Sequence, residues 1–150
     1  MTAAIDVEAK TLRIERDFRA PIERVFEAFI DPTKLQQWWG PEGMTTPEVD
    51  MDVREGGRWR TTMVNAKGGR HTVEGAYQTI APHSRLVFSW GWVENGVRGH
   101  ETIVDITLTQ IEGGTHFSMV QSLFETSEAR DDHKGGWTSS LNCLDAYTCK

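Results

Sequence analysis

The sequence predicts an α+β fold in which a curved antiparallel sheet of about six to seven strands wraps around a long C-terminal helix. Three observations predict it: helical spacing after the first strand, alternating segments joined by short turns from Val49 onward, and a return to helical spacing after Phe124. Links this short join antiparallel neighbours, because a parallel connection needs about a dozen residues or more. The C-terminal helix is then the long element left to cover the apolar face of the sheet.

The individual elements follow from the local patterns. Residues 11–19 alternate between apolar and polar side chains, which predicts the first strand. Apolar residues at three- and four-residue spacing predict a short helix over 21–30, and a second short helix is predicted over 31–39. Further strands are predicted near Val49 and Trp59 and over residues 71–80, 85–93, 98–110 and 115–124.

Length and composition limit the classes of function. The chain has 150 residues and a net charge of −6, which predicts one domain over residues 1–150 and argues against a nucleic-acid partner. No apolar stretch approaches the roughly 20 residues that span a bilayer, and the acidic start is unlike a signal peptide. We therefore expect a cytoplasmic protein without a membrane partner. Cys143 and Cys149 show no metal or redox spacing, and reduced thiols that are buried or partly buried are expected.

The alternating strands place many large apolar side chains on one face. A strongly curved sheet around one helix tends to leave a cavity, which would be the default binding site. The same alternation is equally typical of a filled core, and periodicity does not distinguish the two. The residues expected to face inward are Val49, Met51, Val53, Trp59, Met63, Leu86, Phe88, Trp90, Trp92, Val104, Ile106, Leu108, Phe117, Met119 and Leu123.

Several sequence runs resemble a known family. These are ERDFRAPIERVFEAFIDPTKLQQWWGP at 15–41, GGRWRTTM at 56–63, RLVFSWGW at 85–92, GGTHFSM at 113–119 and HKGGWTSSLNCL at 133–144. Together they resemble the activator of heat-shock protein 90 ATPase homologue family, which belongs to the SRPBCC superfamily, also called START-like or birch-pollen-allergen-like. The resemblance implies a helix-grip domain with a pocket between the sheet and the C-terminal helix. One fold hosts many functions, so the resemblance leaves the function open.

The search for catalytic groups yields one weak candidate. His71 is expected to share a face with Val73 and Tyr77, and its pKa near neutrality would suit proton transfer. His116 is expected on the outer face of the sheet, and His133 at a solvated helix start. No metal-ligand set and no cofactor motif is found in the sequence.

Two further features bear on the C-terminal helix. Gln121 continues the inward register of Met119, where its amide could bind a ligand or hydrogen-bond to the opposite helix. Gly135 and Gly136 beside Trp137 weaken the helix by about 1 kcal/mol each, and we expect them to permit close approach of another backbone.

Three functions remain open: binding or carrying a small, largely apolar molecule, a cyclase-like or hydrolytic enzyme acting on such a ligand through His71, and a partner-binding module such as a chaperone cofactor. A homodimer is possible under each of them, and the sequence does not identify the ligand. The residues predicted to bind a ligand are Trp39, Trp59, Met63, Tyr77, Phe88, Trp90, Met119, Gln121, Trp137 and Leu141.

Overall fold

The computed structural model describes residues 7–149. The strands are β1 (Leu12–Phe18), β2 (Thr45–Met51), β3 (Arg58–Val64), β4 (Arg70–Ala81), β5 (Arg85–Glu94), β6 (Val97–Ile111) and β7 (Gly114–Ser122). The helices are α1 (Ile22–Ile30), α2 (Pro32–Leu35) and α3 (Ser127–Thr148). The predicted fold class is confirmed, since the strands form one antiparallel sheet in the order β1-β7-β6-β5-β4-β3-β2 and two short helices follow β1.

Short turns set the order of the strands from β2 to β7. Asn95 and Gly96 connect β5 to β6 with φ values of 53° and 77°, the left-handed conformation that a tight hairpin of this kind requires. The chain is therefore a meander from β2 to β7, as its turn signals predict. Strand β1 forms one edge of the sheet and pairs with β7, with Leu12 opposite Gln121.

Strand β2 begins earlier than predicted. It starts at Thr45, whereas the alternation of the sequence becomes visible only near Val49. Pro47 interrupts the pattern, and the pairing with β3 shifts between Thr45 and Glu48. A proline is tolerated here because β2 lies at the edge of the sheet and its missing N–H leaves no neighbour unpaired.

Helix α2 is shorter than predicted. Asp31 caps it by accepting a 3.0 Å hydrogen bond from the Thr33 amide, but the helix ends at Leu35. Trp38 and Trp39 therefore lie in the turn that follows, not on the helix. The Trp38 indole donates a 2.9 Å hydrogen bond to the Ala28 carbonyl, which fixes this turn against α1.

Two predicted inward residues are exposed, at the ends of their strands. Leu123 has a φ of 73° and is 61% exposed, because the chain turns after β7 and breaks the alternation. The next residue, Phe124, is buried in its place. Val53 lies beyond the end of β2 and is also exposed.

Helix α3 lies against the concave face of the sheet. Its first turn is capped by Thr126, whose hydroxyl accepts a 3.0 Å hydrogen bond from the Ala129 amide. Its buried side chains are Trp137, Ser140, Leu141, Leu144 and Thr148.

Among the described residues, no helix is both long and apolar enough to cross a membrane. Cys143 and Cys149 are free thiols, as their spacing predicts, and Cys143 is partly buried. The predicted burial is wrong for Cys149, which is exposed because it lies at the C-terminal end of α3.

Candidate ligand-binding groove

A groove of about 250 Å³ opens between α3, the ends of β3 and β5, and the turn after α2. Its size is close to the lower end of the range of about 300–1,000 Å³ that is usual for small-molecule sites. Its surface is almost entirely apolar. The residues that line it are Trp39, Gly40, Pro41, Met63, Trp90, Trp92, Asp132, His133, Gly136, Trp137 and Ser140.

Hydrogen bonds hold Trp39 in the wall of the groove. Its indole Nε1 donates a 2.9 Å bond to the Thr61 hydroxyl of β3. Its carbonyl accepts a 2.7 Å bond from the Thr46 hydroxyl of β2. Because both ends of the residue are bonded to the sheet, the ring is fixed although it lies outside any helix or strand.

A buried chain of polar groups holds Trp137 against the sheet. Its Nε1 donates a 2.9 Å bond to Gln121 Oε1, and Gln121 Nε2 donates a 2.8 Å bond to the Thr102 hydroxyl. Gln121 is completely buried, so these bonds satisfy its amide on both sides. Of the two roles the sequence leaves open for this side chain, the structure shows the hydrogen bond to the opposite helix.

His133 lines the groove and is half-buried. Its Nδ1 donates a 2.7 Å bond to the Ala129 carbonyl, and its Nε2 accepts a 2.8 Å bond from the indole of Trp92. Burial lowers the pKa of His133, against smaller opposing effects of the Ala129 carbonyl and the Asp132 carboxylate. The predicted solvated position of His133 is therefore wrong: it is a neutral wall of the groove.

Trp90 occupies the centre of the aromatic wall. Its ring lies 5.3 Å from that of Trp137 and 5.9 Å from that of Trp39, measured between ring centroids. Its indole Nε1 is buried and has no hydrogen-bond partner among residues 7–149. Buried donors in folded proteins almost always have a partner, so this N–H is an unsatisfied group in the wall of the groove.

Hydrogen bonds of Glu42 join the turn after α2 to α3. The Glu42 amide donates a 2.7 Å bond to the Ser139 hydroxyl. Ser139 and Asn142 in turn donate to Glu42 Oε1 at 3.2 and 3.3 Å. Gly40, with a φ of 99°, allows the chain to turn there, and a Cβ at this position would lie 3.1 Å from Met63 Sδ.

Gly136 lines the groove and has no side chain to fill it. A Cβ built on it would have Pro41 Cγ as its nearest neighbour, at 3.9 Å. A Cβ on Gly135 would meet nothing within 4 Å. The expectation that these glycines allow close backbone approach is wrong, because no other backbone of the described part of the chain lies within that distance of either position.

The structure divides the predicted ligand-binding residues into three groups. Trp39, Met63, Trp90 and Trp137 line the groove. Trp59, Tyr77 and Phe88 line a separate void of about 20 Å³, which is about the size of one water molecule; burial there raises the pKa of Tyr77. Met119, Gln121 and Leu141 are completely buried in the core and line neither space.

The structure does not bring the predicted catalytic candidate to the groove. His71 shares a face with Val73 but lies at the exposed start of β4, with Nε2 3.4 Å from the Asn65 side-chain amide. His116 lies on the outer face, as predicted, with contacts of 2.6 Å to Asp17 and 3.0 Å to Glu15.

Sequence reasoning missed part of the groove. Asp132, Gly136 and Ser140 recur every four residues on α3, and His133 and Trp137 repeat that spacing one position later. This spacing places all five on neighbouring rows of the helix, so the signal was present. It was obscured because only Trp137 is a large apolar residue.

The antiparallel sheet, the helix across its concave face and the groove between them define a protein with a ligand-binding type of fold, the helix grip. Residues 19–148 match the family described as Activator of Hsp90 ATPase homolog 1-like protein. The chain belongs to this family, as the resemblance of its sequence motifs predicts. A comparison with curated proteins finds no match.

Solved structures agree with this assignment. A Chromobacterium violaceum protein is 31% identical over 93% of this chain and 96% of its own, with a TM-score of 0.85. The AHSA1 protein of Silicibacter pomeroyi is 36% identical over 91% of this chain and 95% of its own, with a TM-score of 0.84. An Arthrobacter aurescens protein, 24% identical over 96% of this chain and 88% of its own, shares the fold at a TM-score of 0.84.

Proposed function

We propose that this protein binds or carries a small, largely apolar molecule in the groove between the sheet and α3. The observation that carries the proposal is a space of about 250 Å³ walled by four indoles. Three of them are held through their ring nitrogens: Trp39 to Thr61, Trp92 to His133 and Trp137 to Gln121. Rigid apolar walls favour binding because little side-chain freedom is lost when a ligand enters.

The unsatisfied N–H of Trp90 supports the same proposal. A buried donor without a partner costs about 1–3 kcal/mol, and it lies in a residue that lines the groove. A ligand with one oxygen acceptor next to an apolar body would complete this bond after a small movement of the ring. The proposal therefore favours ligands that are apolar with a single acceptor over pure hydrocarbons.

Binding can be tested directly. The protein is purified and extracted under denaturing conditions for small-molecule mass spectrometry, and its tryptophan fluorescence is titrated with a panel of apolar ligands. We expect a molecule that co-purifies, or saturable quenching by at least one ligand class. No co-purifying molecule and no quenching across the panel would contradict the proposal and favour a partner-binding module.

A pair of variants assigns the signal to the groove. Gly136→Leu places a branched side chain on the floor of the groove, and Gly135→Leu places the same side chain where a Cβ meets nothing. We expect Gly136→Leu to weaken binding by at least about tenfold, or about 1.4 kcal/mol, and Gly135→Leu to bind as the unmodified protein does. Equal binding by both variants would place the ligand elsewhere.

A further inference from the structure

The one formal charge among the described residues that line the groove is negative. Asp132 is the one carboxylate among the described lining residues, and no lysine or arginine is found among them. His133 contributes no positive charge, because Trp92 donates to one of its ring nitrogens and the other donates to the Ala129 carbonyl. The whole chain also carries a net charge of −6. The groove is therefore suited electrostatically to a cation and unsuited to an anion.

Asp132 is free to receive such a cation. Within residues 7–149 it forms no salt bridge, whereas its neighbour Asp131 lies 2.6 Å from the Arg130 guanidinium. Asp132 is exposed at the mouth of the groove, so its carboxylate remains hydrated until a ligand arrives.

Two pairs among the four indoles meet edge to face, while Trp90 is tilted by 42° to Trp137 and by 50° to Trp39. The rings of Trp39 and Trp137 lie 5.6 Å apart with an interplanar angle of 89°. Those of Trp90 and Trp92 lie 5.5 Å apart, also at 89°. Faces of aromatic rings carry negative electrostatic potential. Aromatic faces that border a site attract alkylated ammonium groups, which are also apolar enough to lie against them.

We propose that the ligand of this groove is an organic cation, a tertiary or quaternary ammonium group attached to a small apolar body. The body packs on Met63 and the indoles, and the positive charge lies between the ring faces and the Asp132 carboxylate. This proposal rests on the function proposed above and narrows its ligand class. It differs from that function in one respect, the requirement for a positive charge.

Two ligands of the same shape distinguish the contribution of positive charge to binding from that of apolar contact. They are para-(trimethylammonio)phenol, which carries a quaternary ammonium group, and para-tert-butylphenol, its neutral isostere. Each is titrated by isothermal calorimetry into the unmodified protein, into Asp132→Asn and into the matched control Asp131→Asn. Both variants lose one carboxylate from α3, but only Asp132 lines the groove.

We expect the unmodified protein and Asp131→Asn to bind the cation at least about tenfold more tightly than the neutral isostere. Asp132→Asn should lose most of this preference while its affinity for the neutral isostere stays the same. Equal or tighter binding of the neutral isostere by the unmodified protein would overturn the cation proposal and leave the groove as a site for neutral apolar molecules. A preference that persists in Asp132→Asn would overturn the role of that carboxylate. If neither compound nor any member of the apolar panel binds, both proposals fail.

Discussion

The indole of Trp92 donates to Nε2 of His133 at 2.8 Å, which holds the imidazole in its neutral form. An indole nitrogen only donates, so a proton on His133 Nε2 would set two donors against each other. Together with Trp90, the pair also lines both the groove and an adjacent cleft of about 450 Å³. Protonation of His133 at Nε2 would therefore break this hydrogen bond.

His133 makes the protein less stable in acid. Burial lowers its pKa below the ordinary value of 6.5, so below pH 6.5 the unfolded chain binds more protons than the folded one. The stability that depends on neutral His133 is fully present above pH 6.5 and is lost as the pH falls toward the pKa of His133 in the folded state. The free energy of unfolding then falls by at most about 1.4 kcal/mol per pH unit.

The contribution of His133 is measured by urea denaturation between about pH 8 and about pH 5. His133→Gln should lose less stability across this range than the unmodified protein does. His71→Gln, which alters an exposed side chain, serves as the control. Parallel pH profiles of the unmodified protein and His133→Gln would contradict the prediction.

His116 has the opposite effect on the outer face. The carboxylate of Asp17 and, to a smaller extent, that of Glu15 raise its pKa above 6.5. Its stabilising contribution is complete below 6.5 and is lost as the pH rises through the folded pKa. His116→Gln should therefore lose more stability at about pH 6 than at about pH 8 relative to the unmodified protein. A larger loss at the higher pH, by urea denaturation, would refute this.

Two matched tryptophan substitutions measure what the ring nitrogens contribute. Trp137→Phe leaves Gln121 Oε1 without its donor, whereas Trp90→Phe removes an N–H that has no partner among the described residues. Both variants lose a similar apolar area. We expect the free energy of unfolding to fall by about 1–3 kcal/mol more in Trp137→Phe. Equal losses in urea denaturation would mean that the Trp90 nitrogen has a partner in solution.

Alanine at either glycine of α3 should stabilise the protein. Both positions have space for a methyl group, and alanine is favoured over glycine in a helix by up to about 1 kcal/mol. Gly135→Ala and Gly136→Ala should therefore each raise the melting temperature, which calorimetry can measure. A lower melting temperature for Gly136→Ala alone would show that the groove at Pro41 closes more tightly than the distance of 3.9 Å indicates.

Much of the strand order follows from local signals. The Asn95-Gly96 turn joins β5 to β6, and turns this short permit only antiparallel neighbours. The predicted strand boundaries are least accurate where a single residue interrupts the alternation of apolar and polar side chains. Pro47 interrupts β2, and Leu123 adopts a positive φ that ends the alternation of β7.

The groove is less predictable than the sheet. Trp59 and Trp90 both face inward on their strands, yet Trp90 lines the groove while Trp59 lines a void of about 20 Å³. Alternation determines the face on which a side chain lies and carries no information on what packs against it. What packs against a strand residue depends on α3, whose contacts with the sheet join residues that are distant in sequence. One example is the hydrogen bond from Trp137 to Gln121.

The sequence by itself determined the antiparallel sheet, the two short helices, the covering helix and the family, because these depend on periodicity, turn residues and local motifs. Only the tertiary structure decided that His133 is a half-buried neutral residue in the wall of the groove and that Gly136 leaves space in it. It also decided that Asp132 lies at the mouth of the groove with no salt bridge to any residue from 7 to 149. Whether a side chain is buried or a charge is unpaired depends on how elements distant in sequence pack together, and no local sequence pattern specifies that packing.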